Sequence, residues 1–271
     1  MSAKFTRPDP WRKRSGEHGT MLPMPRGTQT RLPAEAPARV RRGYFECRFG
    51  QLHVHNAMPP GGGFEEGVPL LCLHGLTGSG RVFTRFLALA GQDRSVYAPD
   101  LPGFGESDGP GARVTIADYA SALGDFLDSM RLRQLAVLGL RSGAMLATEL
   151  ATVRPTQVSR VVMVSVPLLT EAERQSASDS SGQAAEADFR PPEWRRWALE
   201  AAAQYPLRER LLKLSQRLLV LRPRDDLWGP TARVREVLPS ARLTDLEQPA
   251  AELFVSAPQR LAEAVGEFLR G

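Results

Sequence analysis

Cysteine and lysine are scarce in this chain of 271 residues, and histidine is missing from most of it. Two cysteines, Cys47 and Cys72, cannot build a disulfide framework, and Cys72 lies in an apolar run that reads as a buried strand. A reducing compartment, the cytoplasm, is therefore expected. No apolar run reaches the roughly 18 residues that a membrane span requires, and the start of the chain lacks the hydrophobic core of a secretory signal. Only three of the 35 basic residues are lysines, a bias read as nucleotide composition. The four histidines are His18, His53, His55 and His74, so none follows position 74. No metal-ligand spacing appears among them.

The formal charge of +5 is unevenly placed, because residues 1–42 hold ten Lys and Arg against three acids and the remainder is slightly acidic. The same segment is rich in Pro and Gly ("RPDPWRKRSGEHGTMLPMPRGTQTRLPAEAP") and cannot bury a core. Residues 1–38 are thus expected to form a disordered basic tail. Nucleic-acid binding is not favoured; a protein partner of the tail, of acidic character, is the interaction it suits.

Beyond the tail, "RGYFECRFGQLHVHNAM" alternates large and polar side chains as a two-stranded ribbon does. "VPLLCLHG", "SVYAP", "LAVLGL", "VSRVVMVSVPLL", "RLLVLRP" and "ARLTDL" are short apolar strands, and most are separated by segments of helical period. In "TIADYASALGDFLDSMRL" the stripe Ile116, Tyr119, Leu123, Phe126 and Leu127 marks a helix covering a sheet. The alternation predicts an α/β fold with a mostly parallel, doubly wound sheet, helices on both faces, over residues 39–271. It breaks at about 170–215, where a polar stretch and then an aromatic, helical one read as a lid insertion. Trp194, Trp197 and Tyr205 either line a pocket there or pack the insertion onto its host.

Four separated segments resemble, in order, those of the α/β-hydrolase fold superfamily of esterases, lactonases and epoxide hydrolases. "LLCLHGLTGSG" is similar to its His-Gly loop, "DLPGFGESD" to its Asp-x-x-Gly-x-Gly-x-Ser loop, "GLRSG" to its nucleophile elbow and "LRPRDDLWGP" to its acid-bearing segment. The closing "AELFVSAPQRLAEAVGEFL" resembles its last helix. The chemistry of that superfamily needs a serine on a strained strand-to-helix turn, a carboxylate and a histidine, in that order. Small residues must stand two places either side of the serine, and Gly139 and Gly143 fill those places.

Between them stands Arg141, not serine. The histidine position aligns with about Ala251, and His74 falls where the resemblance implies a structural histidine. Asp225 is the retained acid, with Asp226 beside it reading as a capping or solvent residue, although register could exchange them. Ser142 is a rescue nucleophile, but its flanks would be Leu140 and Ala144, and a one-residue shift turns its hydroxyl by about 100°. Arg141 is expected to cross the vacated imidazole space and pair with Asp225, because an unpartnered buried carboxylate is costly.

The resemblance therefore implies a degenerate catalytic triad and a hydrolase homologue that is inactive or severely impaired, a binding or regulatory relative. Gly75, Leu76, Arg141 and Ser142 would line its surviving pocket and hold a small acyl or carboxylate ligand, unless Arg141 merely plugs the space. No metal or organic cofactor is implied. The alternatives are an active ester hydrolase using Ser142 with Asp225, and a scaffold or regulatory interaction protein.

Overall fold

A computed structural model describes residues 37–60, 67–76, 78–180 and 192–271. The expected tail lies outside these residues up to position 36. Its last residue does not behave as tail: Ala38 is buried, and its N–H donates to the Ala88 carbonyl at 2.8 Å. His18, the loop at 61–66 and the polar stretch at 181–191 also fall outside the described residues.

The strands are β1 (Arg41–Cys47), β2 (Gly50–Ala57), β3 (Leu70–Leu73), β4 (Val96–Pro99), β5 (Leu135–Leu140), β6 (Val158–Val164), β7 (Arg217–Pro223) and β8 (Arg242–Leu246). They form one sheet in the order β1-β2-β4-β3-β5-β6-β7-β8. The ribbon β1–β2 and the β2–β4 pair are antiparallel, and every other pair is parallel. The sequence alternation thus yields the expected mostly parallel sheet, and the ribbon extends its edge.

Side chains alternate across the sheet, so each central strand serves two cores. Leu71, Leu73 and Val137 join one core with Tyr119, Leu123 and Phe126 of helix α2 (Ile116–Ser129) and Leu146 of α3 (Gly143–Val153). Leu70, Cys72 and Leu138 join the other with Phe86 of α1 (Thr84–Ala90) and Leu261, Val265 and Phe268 of α10 (Pro258–Arg270). The stripe read from the sequence in α2 is wholly buried. That helix starts at a capping box, where the Thr115 hydroxyl accepts from Asp118 N–H and the Asp118 carboxylate accepts from Thr115 N–H.

Between β6 and β7 lie α4 (Glu171–Ser180), α5 (Pro192–Gln204) and α6 (Leu207–Leu211). Two aromatic residues of this region, Trp194 and Tyr205, pack on the host, and Tyr205 also lines a pocket with Glu171, Arg174 and Glu209. The Trp194 ring lies against Gly103 and Gly109, and the Tyr205 hydroxyl donates to buried Glu149 on α3 at 2.9 Å. Arg210 completes that carboxylate's partners at 3.0 Å. After β7 come two short helices, α7 (Trp228–Ala232) and α8 (Val234–Val237), and after β8 comes α9 (Ala250–Val255). Among the described residues no helix is long and apolar enough to cross a membrane.

Candidate functional site

The sheet brings three chain segments together at the carboxyl ends of β5, β6 and β7. The chain leaves β5 at Leu140 and enters α3 at Gly143, which leaves two residues for the turn. Arg141 occupies its tip with φ 53°, in the left-handed region that costs a residue with a Cβ about 1–2 kcal/mol. Its N–H donates to the Val164 carbonyl on β6, and its own carbonyl accepts from Ala144 N–H, each at 2.9 Å. A Cβ on Gly143 would overlap the Leu73 carbonyl oxygen, and one on Gly139 would lie 2.6 Å from the Ala144 nitrogen. The two glycines are therefore required by backbone contact, as their spacing predicts.

The guanidinium of Arg141 lies within ion-pair distance of Asp225, as expected, but its hydrogen bonds go to the neighbouring acid. It forms a two-pronged bond with Asp226, Nη1 to Oδ1 at 2.8 Å and Nη2 to Oδ2 at 2.7 Å, while the nearest Asp225 oxygen is 3.8 Å away. The reason lies in Asp225 itself. Its Oδ2 accepts from the Ser165 hydroxyl at 2.6 Å and its Oδ1 from Leu227 N–H at 2.9 Å, so both oxygens are engaged. Asp225 is turned inward, with 12% of its side chain exposed against 68% for Asp226. The bonds from Arg141 hold the Asp226 carboxyl below its usual range, and the same bonds hold the guanidinium pKa above its own.

Ser165 is the residue that the sequence did not reveal. It follows β6, is fully buried and carries φ 55°, so strained residues stand at the ends of two neighbouring strands. Its signal, a single serine inside "VMVSVP", is indistinguishable from a strand end without the fold.

Ser142 and Leu76 are brought together, but they satisfy each other. The Leu76 N–H, expected to face a ligand oxygen, donates to the Ser142 hydroxyl at 2.8 Å. Gly75 lies directly beneath, where an added Cβ would touch Ser142 Oγ at 3.4 Å. His74 is also committed. Its Nδ1 lies 2.7 Å from the Gly75 carbonyl and so carries the proton, while Nε2 accepts from Leu101 N–H at 2.9 Å. Ala251 stands exposed in the first turn of α9 with only a methyl group to offer.

The left-handed elbow between β5 and α3, set on this sheet order, defines an α/β-hydrolase architecture. The profile of the alpha/beta hydrolase fold family matches residues 68–253, more than half of the chain, and the protein belongs to that family. A lipase of Mycobacterium tuberculosis, LipV, is 33% identical over 123 residues, covering 45% of this chain and 44% of its own length. An uncharacterized protein of the same organism is 30% identical over 105 residues, 39% of this chain and 31% of its own. The chain thus spans less than half the length of these curated relatives. Among solved structures, a hydrolase from Pseudomonas aeruginosa PA01 superposes with TM-score 0.70 at 18% identity, over 85% of this chain and 98% of that one. An enol-lactonase from Burkholderia xenovorans LB400 does so with TM-score 0.70 at 16% identity, over 84% and 100%.

Proposed function

We propose that this protein is a non-hydrolytic, ligand-binding member of its family, taking a small carboxylate or acyl compound at Arg141 in exchange for Asp226. The observation that carries the reading is the arginine on the strained elbow, its guanidinium held by a carboxylate that is itself mostly exposed. A guanidinium remains protonated and cannot act as a nucleophile, whereas its planar fork suits a carboxylate. Asp226 is in effect a tethered stand-in for such a ligand. An ion pair this exposed contributes only about 0–1 kcal/mol, so a diffusing carboxylate displaces it at little cost. The first turn of α3 behind Arg141 adds a favourable field for a negative charge.

The reading of Ser142 with Asp225 as an active pair has less support. The Ser142 hydroxyl is bonded to Leu76 N–H, Asp225 is bonded to Ser165 instead, and no histidine follows position 74 to move a proton.

A thermal-shift series with small carboxylates, esters and phosphates on wild type, Arg141→Ala and Asp226→Asn tests the proposal. Carboxylates should stabilise the wild type, stabilise Asp226→Asn at lower concentration, and leave Arg141→Ala unchanged. Fluorophosphonate should label none of them. Labelling of the wild type that disappears in Ser142→Ala would overturn the non-hydrolytic reading, and equal carboxylate shifts in Arg141→Ala would remove Arg141 from the binding site.

A further inference from the structure

The turn that carries Asp225 and Asp226 is pinned by one aromatic ring. Arg222, in β7, and Arg224, two places on, project to the same side of the chain, because side chains alternate along an extended backbone. The indole of Trp228 folds back over both. The Arg222 guanidinium carbon lies 3.9 Å from its ring centroid and that of Arg224 4.8 Å. A guanidinium over a tryptophan face is attracted by the ring quadrupole, and its flat shape lets it stack there. The two arginines are themselves held. Arg222 faces Asp245 across the β7–β8 pair and makes a two-pronged bond to it, Nε to Oδ1 at 2.7 Å and Nη2 to Oδ2 at 2.6 Å. Only 17% of the Arg222 side chain is exposed. Arg224 donates from Nε to Glu247 at 3.3 Å and from its backbone N–H to the Gln248 carbonyl at 3.2 Å. Trp228 is thus stacked on a platform anchored to β8 and the segment after it.

Between the platform and the ring lie Asp225, Asp226 and Leu227. The Trp228 N–H donates to the Asp225 carbonyl at 3.1 Å, which closes the turn. A turn closed on itself and fixed at its far end keeps one orientation. Here it is the one that sends Asp225 inward and Asp226 out to the Arg141 guanidinium. Asp225 has inward bonds of its own, from the Ser165 hydroxyl and Leu227 N–H. Asp226 is mostly exposed, so the reach of its carboxylate depends on the backbone on either side of it.

We propose that Trp228 is the positioning residue of the Arg141 site: stacked on Arg222 and Arg224, it holds the turn after β7 in the orientation that makes Asp226, and not Asp225, the acid that closes on the guanidinium. Trp228 touches no ligand in this role and acts through Asp226. That Asp226 competes with a carboxylate ligand rests on the reading of Arg141 given above, whereas the placing of Asp226 by Trp228 does not. Loosening the turn frees the guanidinium for an incoming carboxylate. The tightness of the internal pair is therefore set partly from the edge strand β8, through Asp245, and not at the elbow alone.

The test is NMR titration of the full chain as wild type, Trp228→Ala and Trp228→Phe. Neither substitution changes a charge, so a shift in the Asp226 carboxyl reports its geometry with Arg141. Bonds from Arg141 hold that carboxyl below its ordinary range in the wild type. In Trp228→Ala its midpoint should rise towards the ordinary aspartate value, and in Trp228→Phe, whose ring keeps a face for the guanidinium, it should stay with the wild type. Asp128, held low by Arg154 at the end of α2, should not move in either. Acetate added to the same samples should bind Trp228→Ala up to about fivefold more tightly than the wild type, the full worth of an exposed ion pair. Trp228→Leu, which keeps apolar volume without a ring face, serves in place of an alanine variant that does not fold. An Asp226 midpoint that stays low in the alanine or leucine variant, or that rises as far in Trp228→Phe, overturns the proposal. A raised midpoint without tighter acetate binding upholds Trp228 as the positioning residue and overturns the reading of Arg141 as a carboxylate site.

Discussion

Replacing Ser165 exposes how the Asp225 carboxylate is held in place beside an elbow that has no histidine. In Ser165→Ala the 2.6 Å bond to Asp225 Oδ2 is lost, while Leu227 N–H still serves Oδ1. A hydrogen bond to a charged group contributes about 1.5–3 kcal/mol, and the site is too enclosed for water to replace it fully. The expected loss is therefore about 2 kcal/mol. Ser165→Gly loses the same bond but relieves the left-handed backbone, worth about 1–2 kcal/mol, against about 0.5–1 kcal/mol of added unfolded-chain entropy. The glycine variant should thus be more stable than the alanine variant by about 0.5–1 kcal/mol. Urea denaturation followed by circular dichroism at neutral pH measures both, and the same substitutions in an Asp225→Ala background supply the coupling energy. A Ser165→Ala loss below about 0.5 kcal/mol, or one that persists undiminished without Asp225, would refute the assignment.

Three further outcomes follow from the same geometry. Ser142→Ala removes the acceptor for Leu76 N–H and should cost about 0.5–1.5 kcal/mol by the same denaturation assay, with no change in ester turnover. Gly139→Ala places a Cβ on the Ala144 backbone and should cost about 3 kcal/mol, seen as a large drop in melting temperature. Glu173 is held by Arg233, and its pKa is lowered to about 2. Because the folded pKa is depressed, its contribution to stability is full above the ordinary carboxylate range and is lost as pH falls towards 2. NMR titration should find that midpoint near 2 in the wild type and raised in Arg233→Ala, though still below the ordinary glutamate value, because the Thr170 N–H and hydroxyl go on donating to the carboxylate.

The parallel sheet was legible because buried strands and amphipathic helices leave periods that no tertiary context alters, as in the α2 stripe from Ile116 to Leu127. The elbow was legible for a harder reason: Gly139 and Gly143 answer to backbone contacts that admit no side chain. Side-chain partnership was not. Asp225 and Asp226 are adjacent and chemically identical, and only the direction in which the end of β7 turns decides which one meets Arg141. Ser165 and Arg141 likewise come together through strand order, with 23 residues between them in the chain. The histidines of β2 belong to the same class. They meet Asp100 only because β2 lies antiparallel beside β4, which local spacing does not encode.

The bond between Leu76 N–H and the Ser142 hydroxyl has a consequence for how this chain could change. A serine arriving at position 141 by mutation would meet an anion-stabilising amide already engaged, an acid already engaged by Ser165, and an Asp226 stripped of its counter-ion. None of these obstacles is removed by correcting another. On the non-hydrolytic reading proposed above, a route to hydrolysis would run through several intermediates that gain no activity, so the binding role would be retained by the shape of the path as well as by its usefulness.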